Sequence, residues 1–155
     1  MTDTKFKLVS GQNGIILKTK EIPLSEIFDS ELAVSAVRDM AVLAGFDQVR
    51  EFMTATAASE LATNILRYAG KGILSVSLVR GLQTGIEGIE LLAYDEGPGI
   101  SDIDQAMQEQ YSSMKNSLGL GLPSIKNMMD DFFIESISGK GTRILTYKWK
   151  ESNKD

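Results

Sequence analysis

The chain has 155 residues, 43% of them hydrophobic, which is enough for one domain with a real core and too short for two comfortable ones. Its formal net charge of -5 argues against nucleic acid or an anionic membrane surface as the main partner. It holds no cysteine and no histidine, which excludes disulfides, thiolate chemistry, histidine metal sites and the Ser-His-Asp and Cys-His nucleophile systems; general base work falls to a carboxylate. The N-terminus lacks the basic start and apolar stretch of a signal peptide, and no apolar run approaches the ~20 residues of a membrane helix. A cytoplasmic domain over residues 1–155 is expected, with 1–4 and 151–155 flexible and no contact with membrane or nucleic acid.

Taken in chain order, Phe6 to Val9 and Ile15 to Thr19 are strand-like and flank Gly11-Gln12-Asn13-Gly14, which predicts a first hairpin. Ser30 to Ala44 has helical apolar spacing and stops before Gly45. A long helix follows from its cap at Asp47 to about Ala69, with an apolar stripe expected through Val49, Met53, Ala57, Leu61 and Tyr68. Glu60 and Asn64, one turn apart, fall near the middle of that stripe, where a charged group needs a partner. Two apolar runs, Ile73 to Val79 and Ile86 to Tyr94, predict an antiparallel pair with Ile89, Leu91 and Ala93 on one face and Leu92 and Tyr94 on the other.

A short helix from about Asp102 to Gln110 leads into Tyr111 to Ser117, which has little periodicity and reads as a mobile loop. Another helix follows Leu118 to Leu122, with Pro123 at its first position and a stripe of Leu122, Ile125, Met128, Met129 and Phe132. Strands Phe133 to Ile137 and Arg143 to Trp149 close the chain around Gly139-Lys140-Gly141. The order predicts an α/β two-layer sandwich with a mixed, mainly antiparallel sheet and helices on one face.

Three motifs carry chemistry. Asp95-Glu96-Gly97-Pro98-Gly99-Ile100 ends a strand; its glycines let backbone turn close to a ligand, and Asp95 can accept a hydrogen bond from an exocyclic amine. An ordinary Gly-Pro-Gly turn with an Asx-type bond fits the same residues. Gly119-Leu120-Gly121 precedes a helix whose first N–H groups suit a phosphate, and it equally fits a tight turn needing positive φ. Glu60 and Asn64 read as a functional pair or, on the helix alone, equally as two satisfied structural polar groups.

The combination of Glu-x-x-x-Asn on a helix, Asp-x-Gly-x-Gly after a strand, Gly-x-Gly before a helix and Gly-x-Gly-Thr at Gly139 to Thr142 resembles the GHKL ATPase superfamily, over about residues 47–150. Within it the chain looks most like the small serine kinases of bacterial partner-switching modules, the RsbT-like branch of the stress response. The resemblance rests on Ser59 to Ile65, Tyr68 to Gly72, Asp95 to Ile100, Gly119 to Pro123, Met129 to Phe132 and Lys148-Trp149.

The resemblance implies a Bergerat-type ATP-binding fold that uses ATP and Mg2+. It makes Glu60 the catalytic base, Asn64 the magnesium ligand and Asp95 the acceptor for the adenine amine. Gly97 and Gly99 would shape the base pocket, Thr142 would support it, and Gly119, Leu120 and Gly121 would hold phosphates. Ser117 stands where family members often have a further glycine; its hydroxyl is a donor for phosphate, and Lys115 is the nearest loop cation. The implied function is a serine/threonine protein kinase acting on a STAS-domain partner, with a downstream phosphatase, cyclase or sigma factor. The alternative is a nucleotide-gated switch that works by stoichiometric capture and release.

Overall fold

The computed structural model describes residues 6–108 and 121–151. The strands are β1 (Gly14–Leu24), β2 (Gly72–Gly81), β3 (Glu87–Asp95), β4 (Asp131–Ile137) and β5 (Gly141–Trp149). The helices are α1 (Asp29–Ala44), α2 (Gln48–Tyr68), α3 (Ile103–Ala106) and α4 (Gly121–Met128). The sheet order is β1-β2-β3-β5-β4 and every neighbouring pair is antiparallel, so the mixed sheet expected from sequence is a fully antiparallel one.

Alternation along β3 sorts its residues as the sequence predicts. Ile89, Leu91 and Ala93 join Leu74, Val76 and Ile144 in the main core beneath α1, α2 and α4, whereas Leu92 belongs to a second cluster on the opposite face with Val79, Leu145 and Tyr147. The helical hairpin is built by local rules. Gly45 closes α1 in the left-handed region at φ 75 and donates to Ala41 and Val42, and Asp47 caps α2 by accepting the Arg50 N–H at 2.7 Å. Lys148, nearly buried, donates to the last-turn carbonyl of Met128 at 2.8 Å, where a cation complements the end of α4.

Four further expectations need correction. The first hairpin does not form: residues 6–9 lie outside any strand, and positive φ falls at Gly11 and not at Gly14. Side chains far along the chain take the backbone groups a strand partner would have taken. Glu135 accepts from Lys7 N and Leu8 N, Arg143 donates to Leu8 O, and Glu90 accepts from Gly11 N. β1 instead runs on to Leu24 as an edge strand, where Pro23 is tolerated.

Second, the buried face of α2 is rotated from the expected stripe. Val49 and Tyr68 are each 62% exposed, and the helix buries Thr54, Ala55, Ala57, Ala58, Leu61, Ala62 and Ile65. The small alanines let α2 pack closely against both α1 and the sheet, which leaves Glu60 and Asn64 half-buried at the border of the stripe. Third, the helix expected over 102–110 is a single turn, Ile103–Ala106; residues 109–110 lie outside the described ones. Fourth, Pro123 is the third residue of α4, still within the first turn, where its missing N–H costs no helical bond.

Candidate functional site

The end of β3 is where the polar motif residues gather. A cavity of about 330 Å³, within the usual range of small-molecule sites, opens between α2 and the sheet. From α2 it takes Leu61, Asn64, Ile65 and Tyr68; from β3, Ala93 and Asp95; from β5, Thr142 and Ile144. Pro98 to Asp102, with Gln105 and Ala106, close one side, and Gly121 and Leu122 open α4 at the other. Apolar walls with a few convergent polar groups suit a flat aromatic ligand carrying hydrogen-bonding edges.

The Asp95 turn is shaped by its backbone. Asp95 Oδ1 accepts the Gly97 N–H at 2.8 Å, which fixes the carboxylate at the end of its strand. A Cβ on Gly97 would lie 2.7 Å from the Ala69 Cβ, so the turn reaches the C-terminus of α2 only without a side chain. Gly99 sits at φ 85, and a Cβ there would lie 2.8 Å from the Ile137 carbonyl oxygen. Gly139 N donates to Pro98 O at 2.9 Å and ties the turn to the loop between β4 and β5. Burial pushes the Asp95 carboxyl above its ordinary value, opposed by the N–H groups of Gly97 and Thr142.

Of the residues expected to bind a ligand, Asn64, Asp95, Gly99, Gly121 and Thr142 line this one cavity. Gly97 supports its turn from behind. Glu60 is not among the lining residues; it stands one helical turn before Asn64 on α2, half-buried. Gly121 has φ 78, which fits a tight glycine turn at the start of α4. Lys115, Ser117, Gly119 and Leu120 lie outside the described residues.

Two residues at or behind the cavity were given no site role by the sequence. Tyr68, placed on the apolar stripe and within one of the resemblance stretches, stands at the cavity with its ring largely exposed, and its place one turn beyond Asn64 is the signal that was available. Ser136 on β4 accepts the Ile100 N–H at 2.6 Å and bonds Thr142 Oγ1 at 2.9 Å; a lone serine in a strand carries no pattern that announces this.

A larger hollow of about 430 Å³ lies at the far end of the sheet around Leu82, Ile86 and Trp149. Two of its carboxylates are already engaged, Asp130 by the Trp149 N–H and Asp131 by the Trp149 indole N–H, each at 2.8 Å. None of the residues expected to bind nucleotide or metal lines it. Among the described residues no group of three acidic, histidine or cysteine side chains is arranged to hold a metal, and no helix is long and apolar enough to cross a membrane.

An antiparallel sheet carrying an Asn-bearing helix and an Asp-Gly-x-Gly turn around one cavity defines the class: the chain belongs to the family described as the histidine kinase-like ATPase domain, whose profile matches residues 29–148. Among known proteins, the serine/threonine-protein kinase RsbT of Bacillus subtilis (strain 168) is 42% identical over 112 residues, covering 72% of this chain and 82% of that protein. The anti-sigma F factor of Thermoanaerobacter sp. (strain X514) is 31% identical over 101 residues, 64% of this chain and 70% of the relative. That of Clostridium kluyveri (strain NBRC 12016) is 37% identical over 100 residues, 60% and 66%.

Proposed function

We propose that this chain is a serine/threonine protein kinase of a bacterial partner-switching module, transferring the γ-phosphate of ATP to a hydroxyl of a STAS-domain partner. The observation that carries the reading is the convergence of Asn64, Asp95 and Thr142 on one cavity, with Glu60 one turn away on the same helix. Asp95 accepts from the adenine amine, Thr142 supports the base, and the glycine segment ending at Gly121 receives the phosphates. The side-chain oxygen of Asn64 suits magnesium, which takes oxygen ligands and keeps several waters, so one protein ligand beside phosphate oxygens is adequate. The ion neutralises phosphate charge.

In this reading Glu60 takes the proton of the incoming seryl hydroxyl. The hydroxyl oxygen bonds the γ-phosphorus as the bond to the β-phosphate bridging oxygen breaks, and ADP leaves with that electron pair. The half-buried position of Glu60 just outside the cavity lining is compatible with this role, since the base must meet a hydroxyl that a partner brings to the edge of the nucleotide site. The similarity to RsbT supports both the reaction and a partner-switching setting.

Similarity to anti-sigma F factors favours a second output, nucleotide-gated capture of a sigma factor or another regulator. Mixing the chain with Mg-ATP and a STAS-domain protein, then reading intact mass, separates the two. Phosphoserine on the partner is the kinase result; a stable complex with no added phosphate overturns it in favour of the switch.

A further inference from the structure

Behind the cavity wall, Ser136 bonds two of the lining residues, Ile100 and Thr142. Facing Thr142 across the β4–β5 pair, Ser136 Oγ accepts the Ile100 N–H at 2.6 Å, bonds Thr142 Oγ1 at 2.9 Å and donates to the Gly141 carbonyl at 3.2 Å. A serine hydroxyl owns one proton and two lone pairs. The Ser136–Thr142 bond can run either way, and the direction that keeps the Gly141 and Ile100 bonds as well has Ser136 accepting from Thr142. In that arrangement the Thr142 proton points at Ser136, and the Thr142 oxygen offers the cavity lone pairs alone. Asp95, paired with Thr142 across β3 and β5, is also an acceptor when ionised.

We propose that Ser136 is a specificity-determining residue: by claiming the Thr142 proton it makes the Asp95–Thr142 corner a pure acceptor site that takes a 6-amino purine and rejects a 6-oxo purine. This assignment rests on the nucleotide reading of the cavity. An exocyclic amine brings donors to both oxygens, whereas a 6-oxo group sets a third acceptor against them, and a polar site rejects such a mismatch far more strongly than an apolar pocket rejects a change of size. Ser136 touches no ligand and acts through Thr142, as a positioning residue.

The test is the ratio of dissociation constants for inosine triphosphate and ATP, measured by calorimetry on the full chain with magnesium. The wild-type chain is expected to prefer ATP. Ser136→Ala releases the Thr142 hydroxyl to donate, and the ratio is expected to fall about tenfold, the size of one buried hydrogen bond. A purely structural role weakens both nucleotides alike, so an unchanged ratio overturns the proposal. If Ser136→Ala shows no cooperative thermal transition, Thr142→Val replaces it: the fixed acceptor is gone, the ratio is expected to fall, and an unchanged ratio again overturns the proposal. A wild-type chain that binds neither nucleotide defeats the nucleotide reading itself, whereas one that binds both equally leaves a nucleotide site but defeats the acceptor corner and with it the role of Ser136.

Discussion

Replacing Asp95 with asparagine tests the base-binding assignment at almost constant shape. The native carboxylate accepts the Gly97 N–H at 2.8 Å, and the nearby Thr142 N–H also favours its ionised form. Asparagine has one oxygen for these donors. If that oxygen stays with the backbone, the NH2 group meets the ligand amine donor to donor; if the amide turns, the NH2 group meets the backbone N–H groups instead. Each orientation leaves a donor opposed in a half-buried site. A hydrogen bond to a charged acceptor contributes about 1.5–3 kcal/mol, so ATP affinity is expected to fall roughly 10- to 150-fold. Titration calorimetry with a non-hydrolysable ATP analogue measures it, and circular dichroism checks that the fold persists. A folded variant that binds within about threefold of wild type refutes the role of Asp95. The same carboxylate sets a pH signature. Its ionised form accepts with both oxygens, whereas protonation turns one of them into a donor; burial raises its pKa above 3.8, so binding is expected to weaken on acidification at a higher pH than an ordinary aspartate would give. That acid limb is expected to vanish in Asp95→Asn.

Other substitutions separate the remaining roles. Glu60→Ala is expected to abolish phosphate transfer while sparing nucleotide binding, and a variant that transfers at the wild-type rate removes Glu60 from the base role. Asn64→Ala is expected to weaken binding of Mg-ATP more than of metal-free ATP, as read by titration with and without a chelator. Gly99→Ala forces a side chain into the left-handed region and against the Ile137 carbonyl, which is expected to cost about 1–3 kcal/mol in urea unfolding and to loosen the nucleotide site. Tyr147→Phe takes one of three donors from the fully buried Glu90 and leaves Asn13 N without its acceptor, for an expected loss of about 1–3 kcal/mol. Burial and the Glu90 bond hold the Tyr147 phenol above its usual 10.0; its contribution is full below that pH and is lost as pH rises past it, a decline that the phenylalanine variant is expected to lack.

The legible parts of this fold are those fixed by neighbours in sequence. The period-2 pattern of Ile89 to Tyr94 put each side chain on its observed face, Gly45 and Asp47 marked the helical corner, and the Asp95 to Gly99 turn stood out because its backbone needs glycine. What stayed hidden depends on contacts between distant residues. The segment before β1 reads as a strand, yet Glu135 and Arg143, more than 100 residues on, claim its backbone groups; the hydrogen bonds from Leu8 N and to Leu8 O span separations of 127 and 135. The face of α2 was misjudged because alanines are weak hydrophobic markers but pack closely, so Ala58 and Ala62 set the buried side more than Val49 or Tyr68. Ser136 gave no sequence signal at all, since its role comes from a strand register that brings it opposite Thr142.

The segment from Phe6 to Asn13 bears on where this gene can be cut. The family match begins at residue 29, downstream of both this segment and β1. A fragment trimmed to that boundary would leave β2 as a bare sheet edge, uncover Val79, Leu92 and Leu145, and strand the Glu90 carboxylate without Ser10 and Gly11. Open strand edges beside apolar surface invite aggregation. The smallest piece worth expressing therefore starts upstream of the family boundary, at or before Phe6.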